Sequence, residues 1–171
     1  MTSSDKLISI AKKFPVHAMP ILGDVMLDEY IWGRVMRISP EAPVPVVEAQ
    51  RVKYTPVGAG NVAVNIAALG GKALLGGVAG PCQRGKQLHK ELSDRGIDAS
   101  GLQVEPDRVT TTKSRIVAHN QQVARVDSEN RNPISKQTEA ELLAWFETSL
   151  QRADVCLLSD YAFGVISAHM A

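Results

Sequence analysis

Apolar residues at Leu7, Ile10, Ala11 and Phe14 recur at helical spacing, with Ser4 or Asp5 placed to cap the start and Pro15 to stop it. The pattern predicts an opening amphipathic helix. The stretch MPILGDVMLD then reads as a short apolar strand running into carboxylates at its carboxyl end. Open α/β sheets bind ligands at that end of a strand, and a solvated turn is the other reading of the same residues. In RISPEAPVPVVEAQRVKYTP, Pro40, Pro43 and Pro45 exclude a central strand, because proline cannot donate to the ladder. The alternation in VPVVEAQRVKY supports two short strands that leave the main sheet as an edge or a flap, against a plain surface loop.

Beyond the glycine-rich turn TPVGAGNVAVNIAALGG, Val62, Ile66 and Leu69 line one helical face and alanines keep the rest small, which predicts a helix buried on most sides. ALLGGVAG reads as a buried strand, and GKQLHKELSDRGI as a helix with Leu88 and Leu92 inward and Gly96 as its stop. This β–α–β alternation predicts a parallel sheet. TTTKSRIVAHNQQVARVDS reads as two strands around a polar HNQQ turn. A helix is expected from Thr138, boxed with Glu141, ahead of Leu142, Trp145, Phe146 and Leu150. ADVCLLSDY closes the series as an apolar strand ending on Asp160.

Composition narrows the function classes. With 19 basic and 18 acidic residues the net charge is +1, so no global field draws the chain to nucleic acid or to an anionic membrane. No apolar run approaches the about 18 residues that span a bilayer, and the start lacks a signal-peptide core. Cys82 and Cys156 have no C-x-x-C partners and the four histidines lack ligand spacing, so no metal site is expected, and a cytoplasmic, reduced protein fits best.

Gly58, Gly60 and Ala63 match the spacing of a dinucleotide fingerprint. The context rejects it: Pro56 interrupts the approach, and the following strand ends without the acidic residue that takes the ribose hydroxyls. What survives is a turn whose small residues admit a ligand to the backbone, with Asn61 either offering its amide to ligand hydroxyls or capping the helix.

Taken together, GDVMLDEYIWGRVMRISPEAPVPVVE, GAGNVAVNIAALGG, TTKSRIVAHNQQVARVD and LLSDYAFG resemble the ribokinase-like (PfkB) carbohydrate kinases, in unbroken order over residues 14 to 164. More narrowly they resemble the heptose 7-phosphate kinase domain of bacterial ADP-heptose synthesis. The resemblance implies an α/β fold, a ribokinase-like αβα sandwich with a small β lid near residues 36–54, of which residues 1–171 form the N-terminal half. It implies transfer of a phosphoryl group from ATP with Mg to D-glycero-β-D-manno-heptose 7-phosphate, on the route to the lipopolysaccharide core, and a homodimer paired through the lid. Asp28 corresponds to a carboxylate at the tip of the first strand that accepts from sugar hydroxyls, and Gly58 and Asn61 to the turn along the sugar. Lys113 and Arg115 correspond to a basic pair suited to the substrate phosphate, a solvated strand face being the other reading. Asn120 and Gln121 are expected to touch substrate, and Asp160 to stand near sugar and nucleotide.

The chain departs from that pattern in places. Val57 stands where the subfamily has glycine, a strained position if its backbone is left-handed. His119 stands for arginine and Phe163 for lysine, and GPCQRG lacks the usual aspartates. The G-A-G-D motif that carries the family's catalytic base is not in this sequence; GAGN imitates it at the sugar turn, where asparagine takes no proton. No catalytic residue and no nucleotide site are therefore expected within these residues, and turnover by this chain alone is not expected. The competing expectations are a non-catalytic dimerisation module, or a ribokinase-type kinase for another sugar.

Overall fold

The computed structural model describes residues 3–12, 17–153 and 155–170. The first helix, α1 (Ser3–Ala11), forms, with Ser4 and Asp5 inside it and not at its cap; Phe14 and Pro15 fall outside the described residues. Its apolar stripe faces outward, with Leu7, Ile8 and Ile10 all exposed.

Four strands, β1 (Ala18–Gly23), β4 (Lys72–Ala79), β5 (Asp98–Val104) and β8 (Leu157–Ser159), build a wholly parallel sheet in the order β5-β4-β1-β8. Helices α2 (Ala59–Ala68) and α3 (Gln83–Ser93) cover one face, where Ile21, Leu75, Ala63, Leu88 and Leu92 are sealed from solvent. On the other face α4 (Lys136–Leu150) packs Leu142 and Phe146 against Leu22 and Val78. Successive residues of one strand, Ile21 and Leu22, thus enter opposite cores, which is why a parallel strand buried on both faces reads as a continuous apolar run.

The second sheet has the order β3-β2-β6-β7. Its strands are β2 (Val25–Ile38), β3 (Pro45–Gly58), β6 (Thr112–Ala118) and β7 (Gln121–Ser128). The proline-rich stretch is not two short edge strands but the turn and outer arm of a long antiparallel hairpin. Pro40 and Pro43 occupy the connecting turn, and β3 carries Pro45 and Pro56 because it is the sheet's edge; β2 is central.

Two local readings need correction. Strand β5 was not anticipated, because DASGLQV carries few large apolar residues; Gly101, like Gly76 on β4, has to stay small under Trp145, whose ring lies 2.3 Å from where either Cβ would be. Helix α4 is capped by Ser135, whose hydroxyl accepts from Thr138 N at 3.1 Å, and Glu141 bonds Gln137 instead of closing a box. No described helix is long and apolar enough to cross a membrane.

Candidate functional site

A cavity of about 410 Å³ is lined by β2, β3 and β6 of the second sheet, the start of α2 and the loop after β8. Asp28, Gly58, Asn61, Lys113 and Arg115 line it together, with Met26, Val57, Tyr161 and Phe163 supplying the apolar wall. The strands explain this gathering: Asp28 pairs in register with Lys113 and Tyr30 with Arg115, and residues two apart on a strand share a face.

Arg115 Nη1 lies 2.6 Å from Asp28 Oδ2. The contact is an ion pair, and the other carboxylate oxygen, Asp28 Oδ1, is buried without a hydrogen-bond partner among the described residues. The Asp28 contact raises the Arg115 pKa above the ordinary guanidinium value. The guanidinium also lies 5.2 Å from the Tyr30 ring; Tyr30 stacks on Trp32 at 5.3 Å, and Arg51 covers Trp32 at 4.2 Å. Lys113 is held more loosely, 3.8 Å from Asp127 and 5.5 Å from the Phe163 ring.

The neighbouring carboxylate shows that an orphaned acceptor is not the rule in this sheet. Glu29, also buried, points to the opposite face, where Ser114 Oγ and Arg84, the latter at 3.2 Å, donate to it. Asp28 is 7% exposed and lines the cavity, and its Oδ1 is buried without a hydrogen-bond partner among the described residues. Buried acceptors are nearly always paired, which sets this oxygen apart from those of Glu29.

Gly58 is the N-cap of α2, with φ 66°, and a Cβ there would come within 2.3 Å of the Asp24 carbonyl oxygen. That removes the capping role considered for Asn61, which sits in the first turn of the helix, exposed at the cavity. Val57 is a paired residue of β3 opposite Met26, and among the described residues those other than glycine with positive φ are His119, Asn120 and Ala162, so the strain considered for Val57 does not arise. Its side chain does take up cavity wall. Phe163, 6% exposed, lies 4.9 Å from the Arg131 guanidinium as well as near Lys113, so an aromatic ring seats two cations where a lysine was expected.

Three expected residues do not line the cavity. Asn120 and Gln121 sit at the β6–β7 turn, and Ala118, just before it, is five positions beyond Lys113, roughly 17 Å along the strand. Asp160 is exposed and accepts from Ala162 N at 2.8 Å. Asp28 is also not at the tip of the first strand: β1 ends at Gly23, Asp24 occupies the tip, and Asp28 lies four residues on, within β2. Tyr161, which lines the cavity, was not singled out in the sequence, and Asp24 entered only as one of the carboxylates at the end of the first strand.

Comparison with known proteins agrees with this geometry. Residues 17–169 match the pfkB family carbohydrate kinase. The bifunctional protein HldE of Trichlorobacter lovleyi is 46% identical over 147 residues, covering 86% of this chain and 30% of that protein. The HldE of Helicobacter pylori strain 26695 is 45% identical over 146 residues, covering 85% and 32%. The chain thus spans about a third of the length of these curated relatives. Among solved structures, Arabidopsis thaliana ribokinase complexed with ribose and ATP superposes with a TM-score of 0.59 at 16% identity, over 84% of this chain and 45% of that one. A sugar kinase from Clostridium perfringens gives 0.58 at 16% identity, over 82% and 42%. A parallel sheet layered between helices, a second sheet rising from its first strand, and a family match over nearly the whole chain agree: the protein belongs to the pfkB family of carbohydrate kinases.

Proposed function

We propose that this chain is the sugar-binding portion of a heptose 7-phosphate kinase and that the cavity receives D-glycero-β-D-manno-heptose 7-phosphate. One observation carries the reading: a carboxylate, an amide and two cations, Asp28, Asn61, Lys113 and Arg115, line a single cavity. A sugar hydroxyl both donates and accepts, and the Asp28 carboxylate is an acceptor for it. Asn61 at the first turn of α2 orients a further hydroxyl. Lys113, the less engaged cation, takes the phosphate, with Arg115 adding its charge. The two long strands, β2 and β3, act as the lid.

In the family the phosphoryl donor is ATP with Mg. The described residues gather no cluster of carboxylates, histidines or cysteines that could hold a metal ion, and the reading assigns no step through the nucleotide to this chain. It assigns no general base either, since Asp28 is committed to Arg115 and Asp160 to its own turn. The residues here bind and orient the sugar; deprotonation and phosphoryl transfer fall to residues outside them.

Urea unfolding with and without heptose 7-phosphate tests the reading. Ligand that binds only the folded state adds about 2.7 kcal/mol at a hundredfold excess over Kd, so the midpoint should rise. The unphosphorylated sugar at equal concentration should move it less. A cooperative transition that ignores both ligands would reject the assignment.

A second reading, assembly through the lid, is favoured by the hairpin tip, where Met36, Ile38 and Val44 are 73%, 60% and 51% exposed. Light scattering should then find a dimer that Met36→Lys with Ile38→Lys converts to monomer. A monomeric wild-type chain, or a dimer indifferent to both changes, removes this interface.

A further inference from the structure

We propose that Asp24 is the positioning residue of the cavity, holding its two walls in register through main-chain hydrogen bonds. Asp24 is 1% exposed and does not line the cavity. Its carboxylate accepts from three amides of the following loop: Oδ2 from Tyr161 N at 2.7 Å and Phe163 N at 3.2 Å, and Oδ1 from Val165 N at 3.4 Å. Its own amide donates to Ser159 O at 3.0 Å, and its carbonyl accepts from Ala59 N at 2.9 Å. One residue therefore joins the end of β8, the loop beyond it and the start of α2.

The loop is shaped around that carboxylate. Ala162 and Gly164 both have left-handed backbone, φ 61° and 80°. Such residues, alternating with ordinary ones, turn successive N–H groups toward one point and make a concavity that binds an anion. Here the anion belongs to the chain itself. For alanine the conformation is unfavourable and persists only where surrounding contacts impose it, which the three bonds to Asp24 do.

The consequences reach the cavity through both walls. Tyr161 and Phe163 form one side, and the Phe163 ring lies beside Lys113. Gly58 forms the other, pressed so closely on the Asp24 carbonyl that no side chain fits between. Moving the carboxylate would release the first wall while leaving the second, which depends on the residue's main chain. The role rests on the sugar-phosphate reading given above, since it is the ligand that feels the displaced wall.

The test uses the full chain, labelled with nitrogen-15, as wild type and as Asp24→Asn, which keeps the volume and the main-chain bonds but not the charge. Without ligand, Asp24→Asn should shift the amide signals of Tyr161, Phe163 and Val165 upfield and leave Ala59 and the β4 and β5 amides in place. On titration with heptose 7-phosphate, its affinity should fall about tenfold, the lower end of the worth of a charge-assisted hydrogen bond. Ligand-induced shifts should persist at Gly58 and Asn61 but fade at Tyr161 and Phe163, a split that a general loss of stability would not produce. Unchanged affinity despite displaced loop amides would overturn the proposal, as would collapse of the whole spectrum, which would make Asp24 a folding residue only. A wild-type chain that shows no ligand response rejects the sugar-phosphate reading and this role with it, whereas the ligand-free amide shifts report on the clasp separately.

Discussion

Replacing Arg108 with methionine is expected to destabilise the chain by about 3–5 kcal/mol, the range seen when one partner of a buried ion pair is removed. The side chain is 5% exposed, and both of its terminal nitrogens are engaged. Nη1 donates to Glu105 Oε2 at 3.2 Å and to Asn132 O at 3.1 Å, while Nη2 donates to Asn130 O at 3.2 Å and to Phe163 O. Methionine fills much of the same space, so the loss is of bonds more than of packing. Three carbonyls and a carboxylate would be left short of a donor. The pH dependence offers a second check. Burial by itself would raise the Glu105 pKa, but the Ser135 amide and Arg108 outweigh it and hold it below the ordinary glutamate value. A depressed carboxylate stabilises the fold above its unfolded pKa, about 4.3, and that contribution is lost as the pH falls through the folded value. In the variant the Glu105 depression is smaller, so its acid-induced loss of stability should be smaller and complete at higher pH. Urea unfolding between pH 3 and 7 reads both effects, and a change below about 1 kcal/mol at pH 7 would show that the fork is dispensable.

Changing Asp28 to alanine is expected to lower affinity for heptose 7-phosphate by about 10- to 150-fold, the worth of a hydrogen bond to a charged group. The carboxylate lines the cavity, and removing it also frees Arg115 to reorient. The role assigned to Asp28 concerns a hydroxyl, so the phosphorylated and unphosphorylated sugars should lose affinity by similar factors. Lys113→Met should behave differently, weakening only the phosphorylated ligand. Calorimetric titration of both sugars against both variants reads the distinction. If Asp28→Ala binds as the wild type does, the hydroxyl contact is not made; if Lys113→Met harms both sugars equally, the phosphate lies elsewhere.

Much of the architecture is legible in short windows. The alternating and helical patterns locate α2, α3, β4 and the β6–β7 pair, and the left-handed Gly96, φ 69°, stands where the stop of α3 was read. These features are decided within one turn or one pleat, by residues a few positions apart. Motif resemblance adds five residues that come to line a common cavity, but it also points to Asn120 and Gln121, which strand length carries away from it.

Long-range placement governs the rest. In GDVMLDE three carboxylates lie within six residues, and nothing local separates them: Asp24 turns inward to the loop amides, Asp28 to the cavity and Glu29 to Arg84. Which face each side takes depends on where β1 ends and on the register of β2 against β6, and a slip of one residue would exchange Asp28 for Glu29. The small residues of β5 make sense only under Trp145, and the exposed stripe of α1 only from where that helix lies. Composition and periodicity specify which elements can form. The cavity itself comes from pairing segments distant in the chain, because charge, burial and hydrogen-bond satisfaction are properties of neighbours in space.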